Sequence, residues 1–207
     1  MKKYWIITTS FLFLLANCTG NKNGADPPAT LNKPEAFPKR EEAPSNYKEE
    51  LKIAIYLEDT ENIKRILEKD IDLNAVIFDE NGWTALIIAS YQGYIEAIEL
   101  LLKKGADPNA KSKNSFDGTA LMWASYKGHI EAMKLLLKHS ADINAKSDKY
   151  KETALMIAST KQAVRLLLEK GADVNARNSS NRTALGIALK ENRPEIAKLL
   201  KSYGAVE

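Results

Sequence analysis

Apolar residues recur along this chain at two nested intervals. The short one is helical: Leu86 and Ala89 lie three apart, and Ile98, Leu101 and Leu102 share one side of a following helix. The long one carries whole phrases. Thr84-Ala85-Leu86 returns as Thr119-Ala120-Leu121, Thr153-Ala154-Leu155 and Thr183-Ala184-Leu185, followed by Ala89, Ala124, Ala158 and Ala188. The threonines step by 35, 34 and 30 residues, a period of about 33. A period of that size signals a solenoid, in which each helix pair buries its apolar side only against its neighbours. Such a stack offers a long surface and no single deep core, which points to binding rather than to chemistry.

Within one unit the residue types set the boundaries. The Thr84 hydroxyl can cap a helix by accepting one of its first unpaired amides. Ala89 is small enough to admit the next helix closely, and Gly93 ends the first helix before Ile95 begins the second. Gly105 supplies a left-handed cap, and Asp107 and Asn109 are turn formers that open a polar connection. Gly105-Ala106-Asp107-Pro108-Asn109 is matched by Ser140-Ala141-Asp142-Ile143-Asn144 and Gly171-Ala172-Asp173-Val174-Asn175.

These offsets resemble the ankyrin repeat over about residues 47–207, whose signature is T-P-L-H-x-A. The resemblance implies an all-α ankyrin-repeat solenoid of about five stacked helix pairs with extended hairpin-like connections. The units fall at 47–79, an N-terminal cap; 80–114; 115–148; 149–178; and 179–207, a C-terminal cap. The first lacks the threonine but carries Leu51, Ala54, Ile63, Ile66 and Leu67 in register. The last presents Lys190, Glu191, Arg193, Lys198 and Lys201 to water, as terminal repeats require.

Three departures from the family pattern stand out. Alanine replaces the helix-opening proline in every copy. Ile87, Met122, Met156 and Gly186 replace the usual histidine, and the apolar ones are expected to pack in its place. The fourth unit is short: Ala158 to Gly171 spans 13 positions, where Ala89 to Gly105 and Ala124 to Ser140 each span 16. Nearly one helical turn is missing around Thr160-Lys161-Gln162, which predicts the weakest junction of the stack.

The 46 residues before the repeats have another character. Residues 1–17 read as a secretory signal, with Lys2 and Lys3 before an apolar run from Tyr4 to Ala16. Cys18, the only cysteine, follows Leu15-Ala16-Asn17 and resembles the lipidated cysteine of bacterial lipoproteins, with Asn17 where that family has a smaller residue. Residues 18–46 hold five of the seven prolines (Pro27, Pro28, Pro34, Pro38, Pro44) and read as an extended tether. One cysteine excludes an internal disulfide. The net charge of +3 includes Lys2 and Lys3, so the remainder is too balanced for a nucleic-acid footprint.

No catalytic, cofactor or metal set stands out, so no enzyme, cofactor or small-molecule substrate is expected. His129 and His139 lie ten positions apart on one helix and cannot converge on a zinc ion. The candidate site is a surface. In ankyrin stacks the residue before the threonine, the late first-helix positions and the connection tips line a concave face. Here they hold Trp83, Tyr91, Gln92, Tyr126, Lys127, Glu152 and Arg182, with Phe78, Phe116 and Tyr150 in the connections. Trp123 and Ile88 flank the same strip, although these two and Phe78 could each simply fill gaps between repeats. Tyr91 and Tyr126 recur at one offset, and exposed aromatics commonly anchor interfaces.

The expectation is therefore a monomeric protein–protein interaction module, lipid-anchored through Cys18 to a membrane of the bacterial cell envelope. Its partner would dock on the concave face. An envelope inhibitor or immunity-type protein that neutralises an enzyme is the alternative. An envelope hydrolase lacks a convergent nucleophile and base, and a plain spacer would not need the tyrosines.

Overall fold

The computed structural model describes residues 47–74, 82–113 and 116–206. The expected signal segment, Cys18, the proline-rich tether and Phe78 lie outside the described residues. Among the described residues, ten helices alternate between two layers. The inner layer holds α1 (Tyr47–Tyr56), α3 (Ala85–Gln92), α5 (Ala120–Lys127), α7 (Ala154–Ile157) and α9 (Ala184–Lys190). The outer layer holds α2 (Thr60–Leu67), α4 (Ile95–Lys103), α6 (Ile130–Lys138), α8 (Lys161–Glu169) and α10 (Pro194–Ser202). Each helix packs on its hairpin partner and on the same-layer helices of adjacent repeats.

The two layers differ because their sequences differ. Helices α3 and α5 are buried from their first residue through Ser90 and Ser125, on every side of the helix. A helix that is apolar all round belongs in an interior. The outer helices are one-sided: α4 buries Ala97, Ile98, Leu101 and Leu102 and gives its other face to water. Leu86, Leu121, Leu155 and Leu185 join one continuous core, as their spacing predicts. Each such side chain contributes roughly 1.5–3 kcal/mol when fully buried. Ile87, Met122 and Met156 are buried beside them, so the positions that departed from the family pattern do pack.

The helix ends carry the expected chemistry. Thr84, Thr119 and Thr183 accept the amides of Ile87, Met122 and Gly186 at 3.3, 3.4 and 3.2 Å. Gly93 closes α3 with φ 76°, and a Cβ there would stand 2.7 Å from the His129 ring. His129, the residue before α6, uses that space to donate from Nε2 to the carbonyl of Tyr91 at 3.1 Å. Tyr94 and Arg193 do the same work in their repeats. The Tyr94 hydroxyl donates to the carbonyl of Glu58 at 2.9 Å, and Arg193 donates to that of Ala158 at 2.5 Å. His129 thus serves as a bond between repeats.

A second set of bonds runs along the opposite ends of the helix pairs. The side-chain oxygens of Asn74, Asn109, Asn144 and Asn175 accept the amides of Asp107, Asp142, Asp173 and Val206 at 2.7–2.9 Å. Each asparagine's own amide is held by the aspartate two residues earlier, at 2.8–3.0 Å. The sequence identified these residues only as turn formers; the structure makes them rivets between successive repeats.

In the fourth repeat the missing residues come out of the end of the inner helix. Helix α7 has four residues where α3 and α5 have eight. The chain leaves it in extended form at Ala158 and reaches Thr160, which caps α8 by accepting the Ala163 amide at 3.1 Å. Thr153 makes no side-chain cap bond, and its hydroxyl is buried without a hydrogen-bond partner among the described residues.

Candidate interaction surface

Three tyrosines stand in register along the inner layer. Tyr56, Tyr91 and Tyr126 each follow the core leucine of their helix (Leu51, Leu86, Leu121) by five positions. They therefore occupy the last turns of α1, α3 and α5, side by side. Tyr126 is 42% exposed and Tyr56 36%, while Tyr91 is half-buried. The expected pair was Tyr91 and Tyr126; the structure adds Tyr56, with Ile53 and Leu57 beside it. The signal was present in the sequence, since Tyr56 lies 35 positions before Tyr91 in a repeat whose register Leu51 and Ala54 already set.

The difference between Tyr91 and Tyr126 has a local cause. Trp83 leans on Tyr91 with ring centroids 5.0 Å apart, and Trp123 of the next repeat adds an edge at 5.8 Å. Lys127 places its ammonium 4.8 Å from the Tyr91 ring centre, a cation–π contact of about 0.5–1 kcal/mol at an exposed site. Tyr126 keeps one ring neighbour, Trp123 at 6.2 Å. In its repeat the residue before the threonine is Gly118, not tryptophan. The turn that would supply a counterpart of Lys127 is the one missing from α7.

Trp83 and Trp123 are not surface anchors. They are 7% and 4% exposed and lie 5.0 Å apart beneath the tyrosines. Their expected place on the face is thereby corrected, because both fill the seam between the second and third repeats. Ile88 is buried in the same way. Neither indole N–H has a hydrogen-bond partner among the described residues. A buried unpaired donor costs roughly 1–3 kcal/mol, so these rings contribute by packing, not by polar contacts. Phe116 is half-buried and closes on Trp123 at 5.3 Å. It does so because Gly118 is bare: a Cβ there would come within 2.7 Å of the Phe116 ring.

Among the candidates, Tyr126 and Lys127 are openly exposed and Gln92 is half-buried. Tyr150, Glu152 and Arg182 form a separate group further along the stack, to which the ring contacts of the described residues do not extend. Tyr150 is exposed, with Lys149 at 5.4 Å from its ring centre, and its carbonyl takes the amide of Ser179 at 2.8 Å. Burial pushes the Glu152 carboxyl above the ordinary carboxylate range, and Glu191 adds repulsion. A bond from Asn178 and the charge of Arg182 pull the other way. The connections are hairpin-like, as expected: Ser147 donates to Glu152 at 2.9 Å, Asn178 to Arg182 at 3.0 Å, and Lys111 bridges antiparallel to Thr119. Lys111 also reaches across to Asp148 at 2.6 Å, which holds that carboxylate below its usual range.

Beside the shortened inner helix, Thr160, Lys161, Gln162 and Arg165 line a shallow, open cavity of about 390 Å³. Its Lys161 is tied to Glu195 at 2.7 Å. Among the described residues no group of histidines, cysteines and carboxylates is placed to hold a metal ion, and no helix is long and apolar enough to cross a membrane.

Two family descriptions match the chain, both of ankyrin repeats. One, for many-copy arrays, covers residues 51–102; the other, for three-copy arrays, covers 108–178 and again 147–206. No curated protein matches the chain.

Proposed function

The chain belongs to the ankyrin-repeat family, a family of interaction modules, and from that premise we propose that it captures a partner protein on the tyrosine-lined face of its inner helices. The observation that carries this reading is the row of Tyr56, Tyr91 and Tyr126, one per repeat, of which Tyr91 and Tyr126 pack on Trp123 beside Trp83 and Phe116. Tyrosines held from beneath lose little further freedom on binding, and large rings of this kind dominate interface energetics. Gln92 and Lys127 add hydrogen-bonding groups at the edge of the row.

The sequence supports a tethered setting for this module. Cys18 after an apolar segment suits a lipid anchor, and the proline-rich residues 18–46 would set the repeats off from a membrane of a bacterial envelope. A concentrated partner in the same compartment would then meet a surface held close to it.

The test is a crosslinking pull-down from intact envelopes. Replacing Tyr56, Tyr91 and Tyr126 together by alanine is expected to abolish capture while far-ultraviolet circular dichroism stays unchanged. Retained capture by a folded triple variant excludes this face as the site. In the same preparation, Cys18→Ser is expected to move the protein from the membrane fraction to the soluble one.

A further inference from the structure

Side chains of a kind that one repeat covers in the next stand bare on the outward sides of the first and fifth repeats. Between neighbouring repeats, the second residue after the core leucine points back: Trp123 lies 5.0 Å from Trp83 and 5.8 Å from Tyr91 of the repeat before. The sixth does the same, with the Lys127 ammonium over the Tyr91 ring. The fourth points forward, and the Ser125 hydroxyl donates to the carbonyl of Ala154 in the following repeat at 2.9 Å. In the first repeat the two backward positions hold Ile53 and Leu57, and in the fifth the forward position holds Leu189.

Exposure at these positions inverts that of the interior. Ile88 and Trp123 are buried where Ile53 is 48% exposed, and Ser90 and Ser125 are buried where Leu189 is 43% exposed. Leu57 is 73% exposed, and its N–H donates to the carbonyl of Ile53 at 2.9 Å, so one helical turn sets both side chains on the same face. Terminal repeats ordinarily turn a polar face outward. Charge then distinguishes the two ends. Residues 47–79 carry nine acidic against five basic side chains, a net of −4. Residues 80–114 and 115–148 each balance at zero, and residues 149–207 carry eleven basic against six acidic, a net of +5. Glu50 and Glu58 are exposed on the first repeat, Arg182 and Lys190 on the fifth. Like ends repel each other, whereas the first repeat of one chain attracts the fifth of another, a pull that salt screens.

We propose that this chain joins head to tail with a second copy of itself. Ile53 and Leu57 of one chain pack against Leu189 of the other, with Arg182 and Lys190 beside Glu50 and Glu58. The joint carries the stacking of repeats from one chain into the next and lengthens the inner face across it. A contact between unlike ends is heterologous and leaves one end of each chain free, so it grows into rows rather than closing as a pair. It uses the ends of the stack and not the tyrosine row, and so goes beyond the partner site proposed above.

The experiment follows protein mass by sedimentation equilibrium, with the full chain in nonionic detergent across the micromolar range. The parent is expected to pass from one chain to two and more as concentration rises, and to fall back in high salt. Ile53→Lys with Leu57→Lys blocks the first end, and Leu189→Gln with Lys190→Gln the last. Each variant alone is expected to stay at one chain. Their equimolar mixture is expected to reach two chains and no more, since one intact first end then meets one intact last end. A parent that stays at one chain overturns the proposal, as does a variant that still self-associates or a mixture that does not pair. Should a variant lose its helical circular dichroism, carbodiimide coupling of mixed heavy- and light-isotope parent chains takes its place. Links from Lys190 of one chain to Glu50 or Glu58 of another are then expected; links between two first repeats, or none between chains, overturn the joint. Capture by the tyrosines is read separately, so either proposal can fail alone.

Discussion

Asn109 accepts the backbone N–H of Asp142 through its side-chain oxygen at 2.7 Å, and its amide nitrogen donates to the carbonyl of Ser140 at 3.2 Å. One side chain thus holds both strands of the turn in the next repeat. The accepting bond recurs at Asn74, Asn144 and Asn175, and at Asn175 the donating one as well, to the carbonyl of Gly204 at 3.3 Å, so the stack is joined along one edge by polar bonds as well as by its apolar core.

Asn109→Ala removes both bonds from a site water can reach. At about 0.5–1.5 kcal/mol for each hydrogen bond, the expected loss is about 1–3 kcal/mol. Asn109→Asp keeps the acceptor and is expected to lose less. Urea unfolding measures both, and an unchanged midpoint for the alanine variant would show the rivet to be ornamental.

The fourth repeat makes a contrasting pair possible. Thr119→Val removes a working cap and is expected to cost about 1 kcal/mol. Thr153→Val removes a buried hydroxyl without a hydrogen-bond partner among the described residues, and is expected to be neutral or stabilising. With one short helix and no cap bond, residues 153–160 are also expected to exchange their amide hydrogens fastest among the inner-layer segments of the central repeats. Finding those amides among the best protected would refute a weak joint there.

Gly118 decides whether Phe116 can cover Trp123. Gly118→Ala puts a methyl 2.7 Å from the Phe116 ring and 3.0 Å from the Trp123 indole nitrogen. Phe116 must then swing out, with an expected cost of about 1–3 kcal/mol for overpacking and a weaker near-ultraviolet circular dichroism signal from the ring cluster. Gly186→Ala is the control. Its methyl would meet only the Thr183 hydroxyl at 3.7 Å, and a helical glycine replaced by alanine is expected to gain about 0.5–1 kcal/mol.

Glu152 sets a pH dependence of definite sign. Its carboxyl is raised in the folded chain, chiefly by burial, so folding takes up a proton between the ordinary carboxylate pKa and the raised one. Stability contributed by this group therefore falls as pH rises through that window. Glu152→Gln is expected to remove the slope, to melt higher than the parent at neutral pH, and to match it at pH values below the ordinary carboxylate range. A parent and variant whose melting temperatures differ equally at both ends would contradict the assignment.

How much of this was legible beforehand differs from residue to residue. Leu86, Leu121, Leu155 and Leu185 could be assigned to a shared interior because a fixed offset repeated four times leaves no other economical use for them. Thr84 and Gly93 could be assigned to helix ends because capping and left-handed backbone are local demands. Trp83 and Trp123 could not be placed, since an aromatic beside a repeat seam can face either way. Burial followed from which neighbouring ring or glycine stood across the seam.

The helix pairs, their caps, their period and the all-α class are legible in the order of residues alone, because they follow from short-range spacing and from side-chain chemistry acting within a turn or two. Tertiary contacts, by contrast, make Asn109 bond the next repeat and leave Tyr126 open while Tyr91 is covered. Those outcomes depend on residues some 30 or more positions away being brought to within a few ångströms, and on a turn missing from the neighbouring helix, which no local pattern records.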